Sequence, residues 1–429
     1  MTTHELTVVI CGTQAGTLCQ DGAGLLSFCY GPSYDGVPLS LSMPISNRTY
    51  RDKVVRPFLF GLLPDSEQQR QAIAREHGVK PNNPFALLAH IGLDCPGGVQ
   101  FCPPDNLDLL TQRASGYRPL SIGQVTDRLT SIREDDDASW MGGEESWSLG
   151  GNQGKFALAW HEDAWCECLG SAPTTHIFKH GVVGFRLEAL NEYVCMRTAR
   201  LSGIPVADVT YQQFAQEPAL IVRRFDRIAD AGGNVVRLHQ EDLCQALGVM
   251  PSQKYTSDGG PTTSDVLMLL ASTNPAADNL YQFTRMLFFN CLIGAPDAHA
   301  KNYSILLGSR GEALLAPMYD TASGLAYERM RRKGRLAMSI GGENRFGRVG
   351  GGAIERFAGK DNEQIAACMS RAGLDAVACK QIMRELAMRI PHDLSQVFDE
   401  SQELPGAREL RERLEGPIAQ NCAQTLALL

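Results

Sequence analysis

None of the 429 residues belong to a run that approaches the roughly 18 apolar residues of a membrane span. The opening MTTHELTVVI also lacks the basic region and apolar stretch of a secretory signal. A cytoplasmic location is the expectation. The 13 cysteines contain no CxxC pair, and only Cys166 and Cys168 lie close together. That spacing suggests neither a zinc site nor a disulfide framework, and implies reduced, mostly buried thiols. An excess of positive charge is absent too: 40 Lys and Arg stand against 48 Asp and Glu, a net charge of −8. This argues against broad contact with nucleic-acid phosphates, although a local patch of Arg329, Arg331, Arg332, Lys333 and Arg335 could still touch them. No internal repeat is found. With 44% hydrophobic and 21% charged residues, large-scale disorder is excluded, and the length suits two or three domains.

Short β-type runs at 6–10, 25–30 and 39–41 alternate with Gly, Asp and Pro-Ser turns, which predicts a small β-rich module. Ser66 with Gln69 three residues later reads as the start of a helix that Gly78 closes, and a second helix is expected over 84–91. The segment 133–151, with Glu134, Asp135, Asp136, Asp137, Glu144 and Glu145 among four glycines, reads as a mobile loop. Strands are predicted at 155–160, 165–169, 174–179 and 220–225, around a helix at 187–201. Beyond them helices are expected at 240–247, 264–270 and 278–293, and again from Asn362 onward. The fold class expected is α+β: a two-lobed, protein-kinase-like arrangement with an extra N-terminal β-rich subdomain and an all-helical C-lobe. The boundaries follow as 1–110, 111–238 and 239–429.

The chemistry concentrates in Gly294-Ala-Pro-Asp-Ala-His-Ala-Lys-Asn-Tyr303, followed by Tyr319-Asp320. Phosphoryl transfer asks for a carboxylate to accept the hydroxyl proton, oxygen ligands for Mg²⁺ and a cation beside the phosphates. Asp297, Asn302, Asp320 and Lys301 are candidates for those roles. Asp297 and Asn302 stand at the interval of the Asp and Asn in a kinase catalytic loop, and a hairpin over 304–316 would return Asp320 to them. His299 could ligate a metal or hydrogen-bond within the loop. Upstream, Ser148-Leu-Gly-Gly-Asn-Gln-Gly-Lys155 has the form of a phosphate-covering loop before a strand. Lys179 ends a strand as a surface charge or as a phosphate-binding lysine, with Glu188 or Glu192 as its partner. Phe225 either packs on a nucleotide base or is a buried aromatic.

Together these residues resemble the HipA family of bacterial toxin kinases over nearly the whole chain. The matching motifs are Phe60-Gly-Leu-Leu-Pro-Asp65, Ile91-Gly-Leu-Asp94 with Gly97-Gly98, Ser148 to Lys155, Thr174-Thr-His-Ile177 with Lys179, and Arg224-Phe-Asp-Arg227. They continue with Gln240-Glu-Asp242, Lys254-Tyr255 with Asp258-Gly-Gly-Pro261, Asp297 to Asn302, and Tyr319-Asp320. The resemblance implies an ATP- and Mg²⁺-dependent serine/threonine kinase that phosphorylates an aminoacyl-tRNA synthetase, glutamyl-tRNA synthetase being favoured, and so arrests translation and growth. It implies a helix-turn-helix DNA-binding antitoxin as partner, with DNA reached mainly through that antitoxin. By the same resemblance Asp297 is the general base, and Asn302 and Asp320 hold Mg²⁺. The nucleotide is contacted by Gly150, Gly151, Asn152, Gln153, Gly154, Lys155, Lys179, Arg223, Arg224, Phe225, His299, Ala300, Lys301, Asn302, Tyr319 and Asp320. Ser148 aligns with an autophosphorylated serine, and a phosphate there would act as a self-inactivating switch. The chain departs from the family pattern at Arg223, Asn152, Gly154 and Ala298. The alternatives are a kinase of another synthetase or of a small molecule, and a co-repressor that bridges antitoxin dimers.

Overall fold

The computed structural model describes residues 3–111, 116–135 and 145–429, so Asp136, Asp137 and Glu144 of the expected mobile loop lie outside it. The chain forms two compact units: Met1–Val183 with Gln212–Ser252 and Ile305–Glu312, and Gly184–Tyr211 with Gln253–Ser304 and Ala313–Leu429.

In the first unit a five-stranded antiparallel sheet runs in the order Thr49–Arg51, Leu26–Tyr30, Thr13–Gln20, His4–Ile10, Val99–Cys102. Leu6, Val8, Ile10, Leu18, Leu26 and Phe28 are buried in one core with residues of the helices Asp52–Gly61, Glu67–His77 and Pro84–Ile91. The second of these helices begins as expected, with the Ser66 hydroxyl accepting from Gln69 N–H, and ends at left-handed Gly78. Residues 39–41 do not form the expected strand. Leu39 N–H donates to the Tyr30 hydroxyl and Leu41 N–H to Glu241 Oε1, so side chains satisfy the main chain that a neighbouring strand would otherwise pair.

A second sheet of this unit runs Glu217–Arg223, His176–Lys179, Lys155–His161, Ala164–Leu169, Gly116–Pro119. Its last strand and the following helix Ile122–Glu134 were not anticipated, although Ser121 and Gln124 form a complete capping box visible in the sequence. Helix Ile122–Glu134 lies on the sheet face that carries Phe156 and Glu217: Arg128 sits 5.8 Å from the Phe156 ring, and Thr130 and Arg133 donate to Glu217. The helix expected at 240–247 is instead a strand, His239–Asp242, running into a short helix, Leu243–Ala246. Asp242 caps that helix through Gln245, which stops helical geometry from reaching back over the strand, where His239 and Glu241 are buried.

The second unit is mainly helical. Its long helix Ala376–Glu400 packs on Ala407–Leu428, Glu188–Leu201 and Ala276–Ile293. It is not all-helical as expected, because Arg335–Ile340 and Glu343–Arg345 pair antiparallel. Among the described residues no helix is long and apolar enough to cross a membrane.

Candidate active site

Helix Ala276–Ile293 is buried over its last eight residues and stops at Gly294, φ 66°, whose left-handed turn swings the chain out into the catalytic-type loop. From there hydrogen bonds to main-chain atoms fix the loop. The Asp297 carbonyl accepts from His299 N–H at 2.8 Å and from the Asn302 side-chain amide at 2.8 Å. The same amide nitrogen reaches the Asp320 carbonyl at 3.4 Å. Asn302 therefore ties Asp297 and Asp320 together, and because its nitrogen faces two carbonyls, its Oδ1 is the end suited to a cation. The Tyr319 hydroxyl donates to the Lys301 carbonyl at 2.8 Å and lies 2.6 Å from Ser304 Oγ, which sets the register of Tyr319-Asp320 against the loop.

Asp320 has φ 57°. A non-glycine residue in the left-handed region carries strain of order 1–3 kcal/mol, found where a side chain must be aimed. Main-chain bonds hold it: Met318 N–H donates to Pro205 O at 2.8 Å and Ala207 N–H to Met318 O at 2.9 Å. The Asp297 carboxylate keeps 63% of its surface exposed, enough for an acceptor hydroxyl to reach it. His299 is buried with Nε2 3.8 Å from Asp297 Oδ1, and Ala300 and Lys301 are buried beneath the loop.

The phosphate-loop candidates belong to the first unit. Lys155 and Lys179 are directly opposite in the antiparallel pair, so both side chains leave the same face of the sheet. That face is the one opposite helix Ile122–Glu134. Ala157, Ile177 and Val222 share it and extend it as an apolar surface. Arg223 does not: it pairs with His176 on the other face, where burial and the Arg223 charge push the imidazole down to about 4.

The Gly-rich segment is anchored in its described part, contrary to the expected mobile loop. Glu145 is buried against Arg128, and Asp94 N–H donates to Ser146 O while Ser148 N–H donates to Asp94 O, at 3.1 and 3.0 Å. Asp65 N–H donates to Gly151 O at 3.0 Å. The Pro64-Asp65 and Asp94 motifs are thus the clamps of this segment, through isolated parallel bridges to Gly151 and Trp147. Gly151 sits at φ 96°, and a Cβ there would lie 2.5 Å from Lys155 Nζ. Gly151→Ala should cost about 1 kcal/mol in backbone strain and displace the lysine. Nucleotide affinity measured by calorimetry is expected to fall severalfold, with the urea midpoint only slightly lowered.

Asp94 is also the hub of a buried charge network. Its carboxylate accepts from Arg227 (2.9 Å), Arg237 (2.7 Å) and the Thr174 hydroxyl (2.7 Å), with Arg224 at 3.4 Å. Arg224 is paired with Asp226 at 2.9 Å and donates to Cys95 O. Burial opposes ionisation of Asp94, but Arg227, Arg237 and Arg224 outweigh it and hold the carboxyl well below its usual range. The Arg224 guanidinium is committed to this network, so a nucleotide contact at 223–225 falls to the main chain and Phe225. Arg227, Arg237 and Thr174 were not singled out as functional, and their signal was the unexplained Asp94 between Leu93 and Cys95 in an apolar stretch.

The chain matches the HipA N-terminal domain over residues 6–102 and the HipA-like C-terminal domain over residues 147–394. It is 32% identical over 385 residues to the serine/threonine-protein kinase toxin HipA of Shewanella oneidensis, covering 85% of this chain and 81% of that protein. A kinase-like protein of Sinorhizobium fredii, Y4mE, is 37% identical over 354 residues, 80% of this chain and 82% of the relative. A solved complex of Shewanella oneidensis HipA with HipB and its operator DNA superimposes with a TM-score of 0.82 at 27% identity, covering 99% and 98% of the two chains.

Proposed function

The chain belongs to the HipA family of toxin kinases, and from that membership we propose that it is an ATP-dependent serine/threonine protein kinase acting as the toxin of a toxin–antitoxin pair. The observation that carries the chemistry is the Asn302 amide, which binds the Asp297 and Asp320 carbonyls together while leaving the Asp297 carboxylate open. In the reading that follows, the acceptor hydroxyl oxygen bonds to the γ-phosphorus, the bond from that phosphorus to the bridging oxygen of ADP breaks, and the hydroxyl proton passes to Asp297. Asn302 Oδ1 and the Asp320 carboxylate suit Mg²⁺, being hard oxygen donors. Bound Mg²⁺ would supply charge neutralisation at the phosphates. Lys155 and Lys179 suit the phosphates themselves, being two ammonium donors on one face of the sheet.

The protein acceptor proposed is an aminoacyl-tRNA synthetase, glutamyl-tRNA synthetase first. The partner proposed is a HipB-like DNA-binding antitoxin, supported by the solved complex of the Shewanella relative. Both belong in the cytoplasm. Incubation with γ-labelled ATP and separate purified synthetases should label one of them, and absence of label on all would overturn the synthetase reading.

Ser148 is proposed as a self-inactivating phosphorylation site. Its side chain is buried beside Cys95 and its N–H is held by Asp94. A phosphate of about −1.5 to −2 charge does not fit a buried site, so phosphorylation would keep the segment out of its clamps. During incubation with MgATP, wild-type protein should lose activity as mass spectrometry finds phosphate accumulating on Ser148, with none in Asp297→Asn; full activity retained with Ser148 phosphorylated, or no phosphate on Ser148 after prolonged turnover, would exclude the switch.

A further inference from the structure

The segment 253–261, whose Lys254-Tyr255 and Asp258-Gly-Gly-Pro261 motifs have no role in the chemistry above, folds into a tight turn that delivers one side chain to Asp297. Tyr255 O accepts from both Asp258 N–H and Gly260 N–H at 3.0 Å, and the Thr256 hydroxyl donates to Pro261 O at 2.7 Å. Gly260 cannot be replaced without opening the turn, because a Cβ there would lie 1.8 Å from Gln253 O. Ala300 N–H reaches Lys254 O at 3.4 Å, which joins the turn to the catalytic-type loop.

On that frame the Tyr255 hydroxyl donates to Asp297 Oδ1. Its ring meets His299 edge-on at 4.8 Å, with Lys254 Nζ 5.6 Å from the ring centre. We propose that Tyr255 is the positioning residue of the general base, holding Asp297 through Oδ1 so that Oδ2 is presented to the acceptor hydroxyl. The physical need is plain. The carboxylate is 63% exposed and its loop is fixed through main-chain atoms, so without a side-chain anchor the group that must receive a proton would sample several rotamers. A phenol is suited to this, since it donates to one oxygen without neutralising the charge that the transfer requires. Lys254 and His299 in turn keep the phenol from swinging away.

The inference rests on the kinase reading, and the test separates the two. Full-length wild-type protein, Tyr255→Phe and Asp297→Asn are compared in MgATP turnover, with water and with purified glutamyl-tRNA synthetase as acceptors. Tyr255→Phe should lower kcat roughly tenfold, the effect of losing one hydrogen bond to a charged group. KM for MgATP should stay within about twofold, and the thermal unfolding profile should be unchanged. Tyr255→Ala should lower kcat at least as far. A Phe variant with wild-type kcat, or one whose loss lies in KM alone, overturns the positioning role while wild-type turnover leaves the kinase reading standing. No turnover by wild type with either acceptor would overturn both.

Discussion

Asp297→Asn should reduce phosphoryl transfer by about a hundredfold to ten-thousandfold, to synthetase or any other acceptor, while leaving the protein folded and able to bind MgATP. The size follows from what a positioned general base contributes, about 10² to 10⁴ in rate, at a residue whose amide replacement keeps shape and removes basicity. The survival of the fold follows from the geometry. The loop is held through the Asp297 carbonyl, by His299 N–H and the Asn302 amide, and the main chain is untouched by the change. The Tyr255 hydroxyl can still donate to an Asn oxygen in the same place. Labelled-phosphate transfer, calorimetric titration with MgATP and thermal unfolding make the comparison, and growth arrest on induced expression should disappear with the transfer. A variant that keeps more than a tenth of wild-type transfer would remove Asp297 from the role of base. Asn302→Ala should behave differently: it loses the tie between Asp297 and Asp320 as well as a metal donor, so both MgATP affinity and loop order should fall.

What could be read from the sequence was whatever depends on neighbours along the chain. Ser66 with Gln69, Gly78 and Gly294 gave helix ends that are found as expected, because a cap is a local hydrogen-bond arrangement. The spacing of Asp297, Asn302 and Asp320 was legible too, and the structure joins all three through one amide. What depended on distant partners was not legible. Residues 39–41 look like a strand until Tyr30 and Glu241 are known to take their main-chain groups. Segment 145–151 looks too polar and too rich in glycine to be held, until Arg128 and Asp94 are found on it. The Arg224-Phe-Asp-Arg227 motif suggested a nucleotide contact, yet all three of its charges are buried in the first unit's interior. Side-chain faces in a sheet also needed the register: only the pairing of Lys155 with Lys179, and of Arg223 with His176, tells which charges share a face.

Asp94→Ala should be the most destabilising single change in the first unit. The carboxylate is 2% exposed and offsets Arg227, Arg237 and part of Arg224. Removing one partner from a buried charge set leaves the others unpaired, at a cost of about 3–5 kcal/mol. The consequence reaches the candidate phosphate site, since the main chain at Asp94 brackets Ser146 and Ser148. MgATP binding should therefore weaken together with stability, whereas Lys179→Met should weaken binding alone. The pH dependence gives a second, independent readout. Asp94 and Asp226 both ionise below their ordinary range in the folded protein, Asp226 near 2, because neighbouring guanidinium groups overcome the effect of burial. Protons are then bound more readily by the unfolded chain, so this stabilisation is complete above the unfolded value of about 3.9 and is lost as pH falls through the folded values. Wild-type urea midpoints should drop steeply between pH 4 and 2, and Asp94→Ala, already lower at pH 7, should show a shallower decline. Equal midpoints at pH 7 with parallel acid limbs would mean that Asp94 is not the hub. In that case the clamps on the Gly-rich segment would have to rest on Pro64-Asp65 and on Arg128 with Glu145 instead.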